Sequence, residues 1–465
     1  MKFRPWGSPL LLVATVSLAY LNAFRGVFQF DDYNVIVDNP AVHSFAAWFS
    51  DAPRGIRPFL KFTYTLNRTC GLGLFGFHLF NVGVHAANTV LVYSLSRRFA
   101  GQDGDPRPGR FAGTAPLVAA LLFALHPVQT EAVTYVSGRS MSLMAFFYLG
   151  SLLAYDHGAR TSRRLWLQLV SPGLFLLAIL TKEVAVTLPP ALALWEMSRR
   201  EGMEPWTVIA RRQAPHWILL ACAMATIAVH PGYRDLLVFG FGARGLWDNL
   251  LSQVNGVAYL LSRLVWVHRL NIDPDLPALT VWTPLLAVQA VLLLSLLVLG
   301  MSALRNAPRL GFGLLWFFLH LLPTNSVVPR LDIANERHLY LAVWGIFLAV
   351  GAGAEKLRSA KSSAWRWVRI GMISGMIVLG CFTLMRNDVY RSEAALWEDT
   401  AKYSPGKPRV HNNLGYAYQL AGYPEKAVLS YREALRLRPD FRPAQGNLAA
   451  LLAGFKERFS RETRP

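Results

Sequence analysis

Cysteine is scarce: Cys70, Cys222 and Cys381 are the only ones in 465 residues. Odd in number and far apart, they exclude a disulfide framework and a cysteine-based zinc site. Charge is scarce too. Asp, Glu, Lys and Arg make up 16% of the chain, against roughly 25% in an ordinary soluble domain. Acid is the rarer sign, 28 residues against 47 Lys and Arg, for a formal net charge of +19. In a soluble chain that excess would point to nucleic acid. Here the basic residues cluster in short loops between apolar runs, as membrane topology requires, and nucleic acid is excluded as a partner. The apolar run 9–24 after Lys2 and Arg4 has no clean small-x-small cleavage site, so it reads as an uncleaved first span rather than a signal peptide.

What the chain has in quantity is apolar sequence. Hydrophobic residues make up 53%, and the mean hydropathy is +0.30. A transmembrane helix needs roughly 20 mostly apolar residues, and by that measure the chain holds about eleven candidate spans. They are 8–24, 78–96, 112–126, 141–155, 165–181, 184–197, 215–230, 282–303, 310–322, 338–355 and 367–385. The expected fold is therefore all-α, a polytopic membrane helix bundle. The basic clusters at Lys2/Arg4, Arg97–Arg110, Arg160–Arg164, Arg199–Arg212, Arg305/Arg309 and Lys356–Arg369 all fall on one side if 253–268 lies in the interface or re-enters. That places the N-terminus inside and everything after Met385 outside. The outer loops are then 25–77, 127–140, 181–183, 231–281 and 323–337. The first of these carries apolar spacing at 45–49 and 59–66 that predicts helices lying on the membrane surface.

Residues 408–441 carry a tetratricopeptide pattern in Leu414, Gly415, Tyr418, Gly422, Ala427, Tyr431, Ala434 and Pro439. Trp397 and Pro405 precede Tyr431 and Pro439 by one period, and Leu448 follows Leu414 by one. One full repeat between two partial ones is expected, because a single repeat cannot bury its own face. Residues 1–389 form the membrane domain and 390–465 the repeat module, a packing or docking unit for a protein partner.

The outer loops hold an unusual share of the ionisable residues. They are Asp31 and Asp32 just past the first span, Arg57 further along, and His78, Asn81 and His85 on one face of the second span. His126, Glu131 and Arg139 bracket the second outer loop, Lys182-Glu183 tips a tight hairpin, and Glu336-Arg337-His338 ends the last loop. Singly, each has a plain structural explanation: a helix cap, an ion pair or a core histidine. Gathered on one side of a membrane, where an ionisable group at depth costs roughly 2.5–3.5 kcal/mol, they imply a hydrophilic cavity. Such a cavity suits a sugar carried on a polyprenyl phosphate. A cation (Arg337, Arg139, Lys182 or Arg57) would meet the phosphate, and a carboxylate (Asp31 or Asp32) would act as general base toward an acceptor hydroxyl. A non-catalytic scaffold presenting the repeat is the alternative. A transporter would need polar residues through both halves of the membrane, which the one-sided distribution opposes.

The stretches FDDYNVIVDNP (30–40), RPFLKFTYTLN (57–67), GFHLFNVGVHAANT (76–89), LLFALHPVQTEAVTYVSGRS (121–140), TKE (181–183), LLPTNSVVP (321–329), ANERHLYLAVWG (334–345) and NNLGYAYQLAGYPEKAVLSYREAL (412–435) occur in the order that marks one family. In them the chain resembles the transmembrane and tetratricopeptide repeat-containing proteins, which are similar to the protein O-mannosyltransferases. The resemblance implies a C-type glycosyltransferase fold and transfer of a sugar, typically mannose, from a polyprenyl-phosphate donor to a Ser or Thr hydroxyl of a protein or glycan acceptor. It matches Asp31-Asp32 to the family's acidic motif, Arg337 to lipid-phosphate contact, and implies anomeric inversion. It establishes no cofactor and leaves a divalent metal open. The short repeat array implies a bacterial inner-membrane enzyme with its site and repeat on the periplasmic side.

Overall fold

The computed structural model describes residues 7–100, 114–198, 204–360 and 365–462. Among them every regular element is a helix. Lys2, Arg4, Arg107, Arg110, Arg199, Arg200 and Lys361, which helped to orient the spans, lie outside the described residues.

Proline and short polar caps punctuate the chain. Pro231, Pro284, Pro308, Pro408 and Pro424 each open a helix, where a missing N–H costs nothing. Thr283 accepts the Leu286 N–H at 3.2 Å, and Ser392 accepts that of Ala395 at 3.1 Å. The two apolar stretches at 45–49 and 59–66 form the helices Phe45–Asp51 and Pro58–Thr69.

The centre of the bundle is built from helices Gly73–Ala100, Thr114–Leu125, Arg139–Thr161, Pro308–Leu321 and Leu339–Ser359. Trp195, Trp316 and Trp344 are fully buried there, the last two with ring centroids 4.6 Å apart. Helices Pro308–Leu321 and Leu339–Ser359 touch backbone to backbone. A Cβ on Gly313 would stand 2.2 Å from the Gly345 carbonyl oxygen, and one on Gly345 would stand 2.3 Å from that of Gly313. Small residues at a crossing let membrane helices approach this closely.

Each expected span coincides with a helical segment, but the count of about eleven full spans is corrected. Three described helices are long and apolar enough to cross a membrane: Pro284–Asn306, Glu336–Ser359 and Trp365–Val389. Two bent pairs, Thr114–Leu125 with Pro127–Val133 and Trp206–Val229 with Pro231–Ala243, raise the number to five. The physical reasons are length and polarity. Ser171–Thr181, Leu188–Met197 and Pro308–Leu321 have 11, 10 and 14 residues. Gly73–Ala100 is long enough but carries His78, Asn81, His85, Asn88 and Thr89, all buried. Helices Pro284–Asn306 and Trp365–Val389 leave most of their apolar surface uncovered, as contact with lipid tails demands. Segment 253–268 is the end of helix Leu246–Ser262, a turn, and the 3-10 helix Val267–Arg269. The repeat consists of helices Pro408–Leu420 and Pro424–Leu437, flanked by Glu393–Tyr403 and Arg442–Glu462.

The paired glycines make a direct prediction. Gly345→Val forces the two helices apart and destabilises the chain by about 1–3 kcal/mol, read as a lowered Tm in detergent. Gly353→Val, on the same helix but facing open space, leaves Tm nearly unchanged. Equal effects at both positions would contradict the close packing.

Candidate active site

The sequence after the first helix turns sharply. Gln29 and Asp32 close a tight turn through the Asp32 N–H and the Gln29 carbonyl, 2.8 Å. Phe30, inside that turn, adopts φ +48, a left-handed conformation that costs an L-residue roughly 1–2 kcal/mol. The two adjacent acids then separate in role. Asp32 is fully buried. Its Oδ2 accepts the Gln29 N–H at 3.0 Å and its Oδ1 accepts the Ser137 N–H at 2.7 Å. Burial pushes its pKa up to about 7, against the pull of those two bonds. Asp31 is half-buried. Its N–H donates to the Tyr135 hydroxyl at 2.9 Å, while its carboxylate makes no hydrogen bond or ion pair among the described residues.

Arg337 lies beside Glu131. Its backbone N–H donates to Glu131 Oε2 at 2.9 Å, and its Nε lies 3.8 Å from Glu131 Oε1. That distance is an ion pair without a hydrogen bond, and the Nε is left without an acceptor. Asp31, Glu131 and Arg57 all lie within electrostatic reach of the Arg337 guanidinium. Beyond it, Arg57 clamps Glu183 through Nε at 2.9 Å and Nη2 at 2.7 Å. Arg330 approaches the same carboxylate at 3.7 Å. Burial would raise the Glu183 pKa, but Arg57 and Arg330 hold it well below the usual range. Lys182 is buried and donates to Ser140 Oγ at 3.0 Å. Burial, then the nearby guanidinium groups of Arg57 and Arg337, hold it well below the usual lysine range. Four cations thus converge on three acids. Arg57, Arg330 and Arg337 keep 27%, 32% and 22% of their side-chain surface open, enough to receive an anion.

Other candidate residues serve the scaffold around this cluster. Arg139 is fully buried: Nε donates to Asn81 Oδ1 at 2.6 Å, Nη2 to the Phe77 carbonyl at 3.1 Å, and its guanidinium lies 4.3 Å from the Phe80 ring centroid. With its donors spent on neutral acceptors, Arg139 offers nothing to a phosphate. His85 is enclosed by Tyr20, Phe123 and Tyr340, with Nδ1 2.8 Å from the Tyr340 hydroxyl. His126 caps its own turn, Nδ1 accepting the Val128 N–H, and Nε2 donates to the Leu264 carbonyl at 3.2 Å. His78 sits 3.1 Å from the Gly26 carbonyl through Nε2. Glu336 is taken up by other partners, accepting from the Tyr259 hydroxyl at 3.0 Å and the Asn271 N–H at 2.8 Å. Both Asp32 oxygens are occupied by backbone N–H groups, and among the described residues no three His, Cys, Asp or Glu side chains converge. The donor set does not fit a divalent ion.

Sequence reasoning missed Arg330, whose one signal was a charge within an outer loop. It also passed over Tyr135 and Ser137, which lie inside the quoted stretch 121–140. Gly138 lets that stretch fold back on itself, since a Cβ there would stand 2.0 Å from the Glu131 carbonyl oxygen. An apolar groove of about 430 Å³ runs between helices Leu188–Met197, Leu246–Ser262, Pro284–Asn306 and Pro308–Leu321. Leu194, Val257, Leu297 and Phe318 line it, together with the polar Asn325. Asn325 Oδ1 lies 3.2 Å from Nδ1 of His338, the neighbour of Arg337.

Residues 408–441 match the tetratricopeptide repeat family. Over nearly its whole length the chain is similar to animal proteins named protein O-mannosyl-transferases. Protein O-mannosyl-transferase F38B6.6 of Caenorhabditis elegans is 24% identical, covering 93% of this chain and 63% of its own length. TMTC3 of Mus musculus is 26% identical, covering 92% and 51%. TMTC4 of Mus musculus is 27% identical, covering 91% and 65%. This chain therefore spans between half and two-thirds of the relatives it matches. No solved structure matches it.

The different settings of the two acids predict different costs. Asp32→Asn turns an NH₂ group toward one of two backbone donors and destabilises by about 1–3 kcal/mol. Asp31→Asn stays within about 0.5 kcal/mol of the parent. Thermal unfolding in detergent reads both, and equal losses would contradict the division.

Proposed function

We propose that the chain is a membrane glycosyltransferase that moves a sugar, mannose by preference, from a polyprenyl-phosphate donor to an acceptor hydroxyl. The acceptor is a protein Ser or Thr. The observation that carries the reading is Asp31: a half-buried carboxylate without a hydrogen bond or ion pair among the described residues, on the turn that its neighbour Asp32 ties to Gln29 and Ser137. The similarity to named O-mannosyl-transferases supports the reaction class.

In this reading the acceptor hydroxyl oxygen attacks the anomeric carbon while the bond from that carbon to the phosphate oxygen breaks. The electron pair leaves with the polyprenyl phosphate, and the hydroxyl proton passes to Asp31. Attack from the face opposite the leaving group inverts the anomeric centre. Arg337 contacts the phosphate, with Arg57 and Arg330 stabilising the charge that develops on the leaving oxygen. Such preorganised cations act most strongly where water is excluded. The apolar groove lined by Leu194, Val257, Leu297, Phe318 and Asn325 is the slot for the first prenyl units. Residues 1–389 are the transferase body, and 390–465 the repeat module that meets a protein partner. The site faces the non-cytosolic side, the periplasm in a bacterial inner membrane.

The test is transfer of radiolabelled mannose from polyprenyl-phosphate mannose to Ser/Thr peptides by the purified full chain. Asp31→Asn lowers kcat about 10²-fold or more without loss of folding. Arg337→Ala lowers kcat/KM for the donor by about 10-fold or more. Wild-type rates in Asp31→Asn would overturn the reading.

A further inference from the structure

Phe30 sits at the junction of three segments distant in sequence. Its N–H donates to Glu393 Oε1 at 3.3 Å, and its ring meets that of Trp397 edge-on at 5.3 Å. Both partners lie on helix Glu393–Tyr403, the first helix of the repeat module. On either side of Phe30 the same junction holds the backbone. The Tyr390 carbonyl accepts the Val27 N–H at 3.4 Å and also the Gln29 Nε2. Tyr135, whose hydroxyl accepts the Asp31 N–H, stacks on Tyr390 with centroids 6.4 Å apart. Phe30 packs at once on the Tyr135–Tyr390–Leu396 cluster and on the Trp397–Val410–Leu414 cluster.

The module that supplies this grip is itself fastened to the membrane domain. Asp273, 2% exposed, pairs with Lys407 at 2.5 Å and with Arg409, which also reaches Asp332 at 2.6 Å. Asn271 donates to Ser404 Oγ at 2.6 Å, while its own N–H donates to Glu336. Helix Glu393–Tyr403 and its C-terminal turn therefore touch the acid-bearing turn at one end and the loop before Arg337 at the other. A left-handed phenylalanine is a conformation that persists only when surrounding contacts over-determine it.

We infer that the repeat module is a built-in part of the transfer site. Glu393 and Trp397 are positioning residues that hold Phe30 left-handed and thereby aim Asp31 at Arg337. This rests on the reading of Asp31 as the base; the clamp on Phe30 is measurable without it. When Trp397 loses its ring, Phe30 is released to an extended conformation, and the direction of Asp31 changes with it. The donor-phosphate cations, held by other segments, stay in place.

The experiment compares full-length wild type, Trp397→Ala, Trp397→Phe and Glu393→Ala, with Leu429→Ala, exposed on the repeat surface, as control. Amide hydrogen exchange over 27–33 and steady-state mannosyl transfer are read on each. In Trp397→Ala the 27–33 amides exchange about tenfold faster. Its kcat falls about 10²-fold, as a misplaced catalytic group requires, while KM for the donor stays within about twofold. Glu393→Ala moves the same way and less, Trp397→Phe recovers both readouts, and Leu429→Ala changes neither. Unchanged exchange in Trp397→Ala would overturn the clamp. Faster exchange with unchanged kcat would overturn its role in aiming Asp31. If wild type and Asp31→Asn transfer equally, the assignment of the base fails, and the exchange arm alone decides whether the module holds the turn.

Discussion

The fixed point of the molecule is the Asp32 carboxylate. It joins a turn after the first helix to the backbone of Ser137, more than a hundred residues away, through two hydrogen bonds made entirely to peptide N–H groups. Burying a carboxylate is costly unless its lone pairs are satisfied. Here they are satisfied by the two loops the site needs to bring together. Asp31, the next residue back on the same turn, has its N–H tied to the Tyr135 hydroxyl. In the proposed reading, one acid supplies geometry and the other supplies chemistry.

The cationic side follows a different logic. Clustered like charges destabilise a folded chain, and a buried ion pair rarely stabilises it. Arg57, Lys182, Arg330 and Arg337 lie close enough to disturb one another, with Glu183 and Glu131 offsetting only part of their charge. In the proposed reading, an anion among them relieves that repulsion, which favours binding of a phosphate. In the same reading, the apolar groove whose lining includes Asn325, a neighbour of His338, takes the lipid tail of the same anion.

Much of this was legible in the sequence, because it depends on local pattern. Apolar periodicity located the helices, the amphipathic stretches of the first loop, and the repeat with its partial neighbours. The ionisable motifs named most of the cluster: Asp31, Asp32, Arg57, Glu131, Lys182, Glu183 and Arg337. What escaped depends on contacts between distant segments. Nothing near Arg139 signals that Asn81, Thr63 and the Phe80 ring will consume its guanidinium. His85 and His126 have the same local look as site histidines, yet neighbours from other helices enclose them. The bond from Phe30 to Glu393 spans 363 positions, and no periodicity encodes it. The number of full spans was overcounted because hydropathy marks where a helix lies without fixing its length or the bend beside it.

The account stands on the joint placement of acid and cations around one donor. A cryo-EM map of the full chain with a non-hydrolysable polyprenyl-phosphate sugar bound tests that placement directly. The expected map has the phosphorus among Arg57, Arg330 and Arg337, the prenyl chain in the groove lined by Leu194 and Phe318, and the Asp31 carboxylate within reach of the anomeric carbon's far face. A phosphate bound away from these three arginines, or an Asp31 turned from the sugar with the turn intact, would contradict it.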